Sequence, residues 1–199
     1  MVVNSIPYET VLGGDDSTLL IRSLEQDDVP TVVRLLLEGS SDEALERVTA
    51  EKVGNVDDHR VLVGSCLGEV VATIEIFQDA PVATIDPRTP PQPLAVKRAS
   101  HLVSWISNLY VRPDYRRRRI GRLLVAAAET VACEWNHTQI HLQCDADLLS
   151  GPFPFYQSLG YRQLWTDGTN LPEIEQVPVL HLCKELTSCR RCNCSETPR

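Results

Sequence analysis

The chain has 199 residues, a formal charge of −8 and 43% hydrophobic residues. That length suits one domain with a sizeable core, and the composition is that of a soluble globular protein. No apolar run approaches the roughly 20 residues of a membrane span, and the acidic balance argues against nucleic acid, whose phosphates call for a broad basic surface.

Residues 1–17 read as a loose arm. The start, MVVNSIPYETVLGGDD, is acidic. It lacks the basic–apolar pattern of a secretory signal and the Arg/Ser-rich character of a transit peptide, so cytosol is the expected location. Thr18–Leu24 is a first strand. Leu24–Glu38 reads as a helix: Asp27 or Asp28 caps it, Pro30 suits its first turn, and Val33, Leu36 and Leu37 supply an apolar face. Ser41–Val53 is a second, more charged helix with Asp42 and Glu43 near its start. His59–Phe77 is a hairpin turning at Leu67-Gly68-Glu69.

Residues 78–99 then break the pattern with five prolines. Such a stretch cannot continue a sheet, and a loop this long is either functional or disordered. It is a flap over a binding site or a plain flexible loop. His101–Val111 follows as a strand rich in β-branched and aromatic residues, ending before Pro113, which has no N–H to donate. A helix comes next, with Ile120, Leu124, Ala127, Val131 and Trp135 at helical spacing. Thr138–Cys144 is a strand. Pro152–Leu159 is a short helix with Gly160 as its left-handed terminator, and Tyr161–Leu164 and Val177–Leu186 are the last two strands. The mixture reads as α+β with a mostly antiparallel sheet.

The seven cysteines are an odd number. Cys66, Cys133 and Cys144 read as small buried hydrophobes. Cys183, Cys189, Cys192 and Cys194 cluster at the end without the paired spacing of a zinc site, so no metal is expected and residues 187–199 read as a disordered tail.

The densest signal is the turn from Arg112 to Arg122, which carries six of the chain's 19 Lys+Arg. Basic side chains oppose the dipole at a helix start. Their presence there is explained by a solvated surface or by a nearby anion, which the first amides of a helix hold well. The stretch LYVRPDYRRRRIGRLL, followed by FYQSLGY, resembles the GNAT superfamily of acetyl-CoA-dependent N-acetyltransferases. The resemblance covers roughly residues 19–186. It implies one three-layer α/β/α domain over residues 18–186, with a central mixed, mostly antiparallel sheet. The family's pyrophosphate motif, Arg/Gln-x-x-Gly-x-Gly/Ala, falls here on Arg116, Arg119 and Gly121. Arg119 replaces the middle glycine, a departure that matters if the position needs φ > 0.

From the resemblance follow the expected roles. Pantetheine lies against the backbone around Leu109, Tyr110 and Val111. The amides of Arg117, Arg118, Arg119, Ile120, Gly121 and Arg122 hold the pyrophosphate, and an arginine side chain meets the ribose phosphate. Asp147 or Ser150 stands in the loop where relatives often have a pantetheine-binding Asn. Tyr156 is the general acid that protonates the leaving thiolate, a role that suits a phenol with pKa about 10; the plain alternative is a core aromatic. Relatives often carry a carboxylate base on the central strand, where this chain has Ser107 and Asn108. Glu75, His101 and His141 are the remaining base candidates, each also compatible with a structural or solvent-facing role. A water chain, or an amine already neutral, would remove the need for a base.

The expected activity is acetyl transfer from acetyl-CoA to a primary amine by direct attack, on a small amine or on a protein N-terminus or lysine. A cationic acceptor would suit the acidic chain. The alternative is a catalytically silent acyl-CoA-binding module of the same fold. Neither membrane nor nucleic acid is an expected partner, and the protein is expected to be a monomer or homodimer.

Overall fold

The computed structural model describes residues 8–11, 18–37, 42–53, 57–78, 103–145, 151–167 and 179–186. The chain divides into two units: residues 1–78 with 106–130, and residues 79–105 with 131–199.

In the first unit, β1 (Tyr8–Val11) pairs antiparallel with β2 (Thr18–Ser23). Residues 8–11 therefore form a strand where the sequence reads as a loose arm. β2 pairs antiparallel with β3 (His59–Cys66), which turns back into β4 (Glu69–Gln78). The turn is two residues, Leu67 and Gly68, with φ of 52° and 81°. Two positive φ values match the twist of the flanking strands, and Glu69 already belongs to β4. A register shift at Gly64/Ser65 puts Glu75 opposite Val61 and Phe77 opposite His59. Next to β4 lies β5 (Val103–Val111), whose last six residues belong to this unit.

The first predicted helix is shorter than its apolar pattern. A 3-10 turn, Gln26–Asp28, leads into α1 (Val29–Leu36). Neither Asp27 nor Asp28 makes a side-chain cap on α1. Asp28 is buried, and its carboxylate pairs with Arg22 (Nη2–Oδ1 2.9 Å) and accepts from the Glu25 amide at 2.9 Å. Burial pushes the Asp28 carboxyl up, but Arg22 and that amide outweigh it and draw it below its ordinary value. α2 (Glu43–Ala50) does carry a side-chain cap: Asp42 accepts from Ala44 and Leu45 at 2.8 and 3.0 Å.

Alternation along β3 sorts the core onto two faces. Val61 and Val63 pack with Leu24, Val29, Val32 and Val70 under α1, and Ala50 and Val53 close the same cluster from the end of α2. On the other face a Cβ on Gly64 would lie 3.3 Å from Leu19 and 3.9 Å from Ile120, the first residue of α3 (Ile120–Glu134). Helices thus cover both faces of this part of the sheet. Ile120, Leu124 and Ala127 are buried as their spacing requires.

In the second unit, β5 begins parallel to β6 (Gln139–Asp145), with Val103, Ser104 and Trp105 opposite Gln139, Ile140 and His141. β6 then pairs antiparallel with β8 (Val179–Glu185), and β8 with β7 (Arg162–Asp167). The short α4 (Pro152–Ser158) precedes β7, and Gly160 ends it at φ 89°. Ser104 and His137, both buried, share a hydrogen bond of 2.7 Å. Cys183, which the sequence groups with the tail cysteines, is buried in β8, while Cys133 and Cys144 are only half-buried. The Pro-rich stretch from residue 79, His101 and the tail 187–199 lie outside the described residues. Among the described residues, no helix is long and apolar enough to cross a membrane, and no three His, Cys, Asp or Glu side chains group as metal ligands.

Candidate functional site

The arginine-rich turn is built by the end of β5. Arg112 N–H donates to Val71 O at 2.9 Å, and a 3-10 turn, Pro113–Tyr115, follows. Arg116 is extended (φ −65°, ψ 161°). Arg117 and Arg119 both take φ of 66°, and Arg118 between them does not. Successive residues of alternating φ sign turn their amides toward one concave side, the backbone arrangement that holds anions. Arg119 O accepts from Leu123 N at 3.2 Å, which opens α3. The first amides of a helix have no partner within it and lie at its positive end. Arg119 therefore keeps the left-handed backbone that a glycine would supply at the middle of the motif.

The arginine side chains brace this turn. Arg112 donates to Asp114 at 2.8 Å and pairs with Glu69. Its guanidinium lies 4.5 Å from the Tyr115 ring centre, and that of Arg118 lies 5.1 Å from the same ring. Arg116 donates to Val111 O at 2.9 Å and sits 5.6 Å from the Tyr110 ring centre. Leu109, Tyr110 and Val111 are half-buried in β5.

A left-handed backbone costs an L-residue roughly 1–2 kcal/mol, and glycine in an unfolded chain gives back about 0.5–1 kcal/mol of that. Arg119→Gly is therefore expected to raise stability by about 0.5–1 kcal/mol, read as a higher urea midpoint with unchanged slope. An unchanged or lower midpoint would count against a strained turn.

An open cleft of about 1030 Å³ adjoins the turn, lined by Arg34, Arg112, Arg116, Asp27, Asp28 and Glu69 among others. Asp28 is held by Arg22, and Glu69 by Arg112. Arg34 makes only weak bonds at 3.3 Å to Pro30 O and Thr31 Oγ1. Among the described residues, Arg34 and Arg116 have no carboxylate partner, so the cleft presents two guanidinium groups to solvent-borne ligands.

Glu75, one base candidate, is buried in β4 at 4% exposure. Lys52 Nζ lies 2.9 and 3.0 Å from its two oxygens. His59 Nε2 is 3.5 Å away, an ion-pair distance without hydrogen-bond geometry. Burial pushes the Glu75 carboxyl up, but His59, Lys52 and Asn108 outweigh it and hold it at about 2. A carboxylate so stabilised is a poor proton acceptor near neutral pH. Asn108 itself has φ 51°.

His141 and Tyr156 belong to the second unit. His141 stacks at a tilt on Trp105, with ring centres 5.2 Å apart, and lies 3.3 Å from Gln139. Burial, with His181 nearby, lowers its pKa, so the ring is neutral at pH 7. Tyr156 is buried on α4, edge-on to Phe155 and Tyr161 at 5.1 and 5.5 Å. Burial, with Cys144 nearby, raises its phenol above the ordinary value, and the proton stays on. Asp147 and Ser150 lie outside the described residues.

Sequence reasoning singled out Glu75 but not Lys52, His59 or Arg34. The hairpin turn alone puts His59 within a residue of Glu75's neighbours, and that signal was available. Nothing in the sequence ties Lys52 to β4 across the 23 positions between them.

The sequence model of the Acetyltransferase (GNAT) family matches residues 22–161. The GCN5-related N-acetyltransferase 4, chloroplastic, of Arabidopsis thaliana is 31% identical over 87 residues, which is 43% of this chain and only 29% of that protein. Among solved structures, the ribosomal-protein-alanine N-acetyltransferase from Brucella melitensis aligns at TM-score 0.62 and 20% identity, over 84% of this chain and 99% of that one. An aminoglycoside 6'-N-acetyltransferase complexed with coenzyme A aligns at TM-score 0.60 and 16% identity, over 84% and 97%. The structural likenesses show the α+β fold with its mixed, mostly antiparallel sheet. With a family match over most of its length, the chain belongs to the acetyltransferase (GNAT) family.

Proposed function

We propose that this protein moves the acetyl group of acetyl-CoA to a primary amine by direct attack. The observation that carries the reading is the alternation of φ through Arg116, Arg117, Arg118 and Arg119 into the start of α3, a backbone suited to a pyrophosphate. The amides of Arg117 to Arg122 would hold that group, with Gly121 leaving room for it. Free backbone groups around Leu109, Tyr110 and Val111 would bond pantetheine as an added strand does. Asp147 or Ser150 would contact its far end. Tyr156 would donate to the leaving thiolate; burial raises its pKa and keeps the phenol protonated near neutral pH. His141, neutral at pH 7, remains a base candidate on protonation state, whereas the ion pair on Glu75 weighs against that residue.

Proteins of this fold include acetyltransferases named for ribosomal-protein alanine and for aminoglycosides. The acceptor here is proposed as a small amine or a protein N-terminus or lysine, and the charge of −8 favours a cationic one. This reading includes a cytosolic location and a monomer or homodimer. A second reading, a silent acyl-CoA-binding module, draws support from Glu75, whose carboxylate is already engaged by Lys52.

Calorimetric titration with acetyl-CoA tests the first step. Wild type is expected to bind in the micromolar range, more weakly as salt rises. Gly121→Glu adds like charge beside the pyrophosphate while suiting the helix dipole, so affinity should fall by about tenfold or more with no loss of stability. Equal binding by both proteins, or none by wild type, would overturn the reading. Turnover on an amine panel separates enzyme from silent module.

A further inference from the structure

We propose that Tyr115 is a positioning residue for the turn that would hold the pyrophosphate: its ring ties Arg118, between the two left-handed residues, to Arg112 and through Arg112 to the start of β4. The inference rests on the acetyl-CoA reading above, because it concerns the shape of that turn.

The four consecutive arginines are not alike. Arg116, Arg117 and Arg119 are exposed, whereas Arg118 is half-buried. Its guanidinium lies 5.1 Å from the centre of the Tyr115 ring, which is also half-buried. Arg112 approaches the same ring at 4.5 Å. Two bare cations near one ring would repel each other, but Arg112 is neutralised by Glu69 and by Asp114, the latter at 2.8 Å. Arg112 is in turn fixed to β4 twice, through its own N–H on Val71 O at 2.9 Å and through the Glu69 carboxylate. A continuous line of contacts therefore runs from β4 through Arg112 and Tyr115 to Arg118.

That line ends between two left-handed residues. Arg117 and Arg119 take φ of 66° on either side of Arg118, a conformation that persists in L-residues only where the surroundings fix it. A guanidinium against an aromatic ring is a directional contact, so holding Arg118 limits how far both neighbours can relax. A turn shaped before the ligand arrives also spares the cost of ordering it on binding. Tyr115 thus raises affinity for the pyrophosphate without touching it.

The test is acetyl-CoA titration of Tyr115→Phe, Tyr115→Leu, Arg118→Met and the double variant of the last two. Phenylalanine keeps the aromatic face, so Tyr115→Phe is expected to bind within a factor of about two of wild type. Each of the other single changes is expected to weaken binding about fivefold, and the double change no further. The Arg118→Met loss should persist at high salt, because the contact removed is local. Wild-type affinity in Tyr115→Leu, an equal loss in Tyr115→Phe, or losses that multiply in the double variant would each overturn the proposal. So would an Arg118→Met loss that salt abolishes, the mark of long-range attraction. Should Tyr115→Leu fail to fold, Arg118→Met decides: wild-type affinity in it, or a loss that salt abolishes, overturns the proposal. Absence of binding in wild type itself would instead remove the acetyl-CoA reading, and this inference with it.

Discussion

Tyr156→Phe is expected to lower kcat by about a hundredfold, within the usual range for a proton donor, while acetyl-CoA affinity stays within a factor of about two. The substitution removes one oxygen and keeps the ring that meets Phe155 and Tyr161 edge-on. Loss of kcat without loss of binding is the mark of an interaction made in the transition state only. Because burial holds the Tyr156 phenol above its ordinary value, its ionisation should contribute no limb to the rate profile near neutral pH. If turnover on a responsive amine is the same in both proteins, Tyr156 is a core aromatic and the thiolate leaves with help from elsewhere.

Acid should destabilise the protein steeply between about pH 4.5 and pH 2. Glu75 is held at about 2 against an ordinary value of 4.5. The folded state therefore binds fewer protons than the unfolded chain in that window, and stability falls as pH falls. The contribution is whole above the unfolded value and gone once pH passes below the folded one. At roughly 1.4 kcal/mol per unit, Glu75 stands for about 3 kcal/mol, a large share of the total of about 5–15 kcal/mol typical of a domain. Asp28, also drawn down by its partners, adds in the same direction. Urea titrations at neutral pH and at successively lower pH should show the loss in wild type and a much flatter dependence in Glu75→Gln. The same steepness in both proteins would mean that other carboxylates govern acid unfolding.

Most of the architecture was legible in the chain. Apolar spacing located α3, and Pro113 marked the end of β5 because proline has no N–H for a ladder. Leu67-Gly68 marked the hairpin, and Gly160 the end of α4. Less legible were features that depend on partners distant in sequence. Residues 8–11 carry no strong strand pattern and take their conformation from pairing with β2. Asp28 looks like a helix cap, but Arg22 claims its carboxylate. Cys183 looks like one of four tail cysteines, but β8 buries it.

The site divides in the same way. By itself the sequence determined that a turn leads into a helix start here, because a strand, a proline, four arginines and a glycine before an amphipathic run specify one, and unpaired amides follow from helix geometry alone. It also determined the family resemblance, carried by the same residues together with FYQSLGY. Only the tertiary structure decided whether Arg119 can stand where the motif has glycine, since φ at one residue is set by the packing of the strand and helix on either side. Likewise it decided what Glu75 can do. The residue type allows a base, but Lys52, just past α2, bonds both of its oxygens, and the ionisation of a buried carboxylate is governed by its neighbours in space.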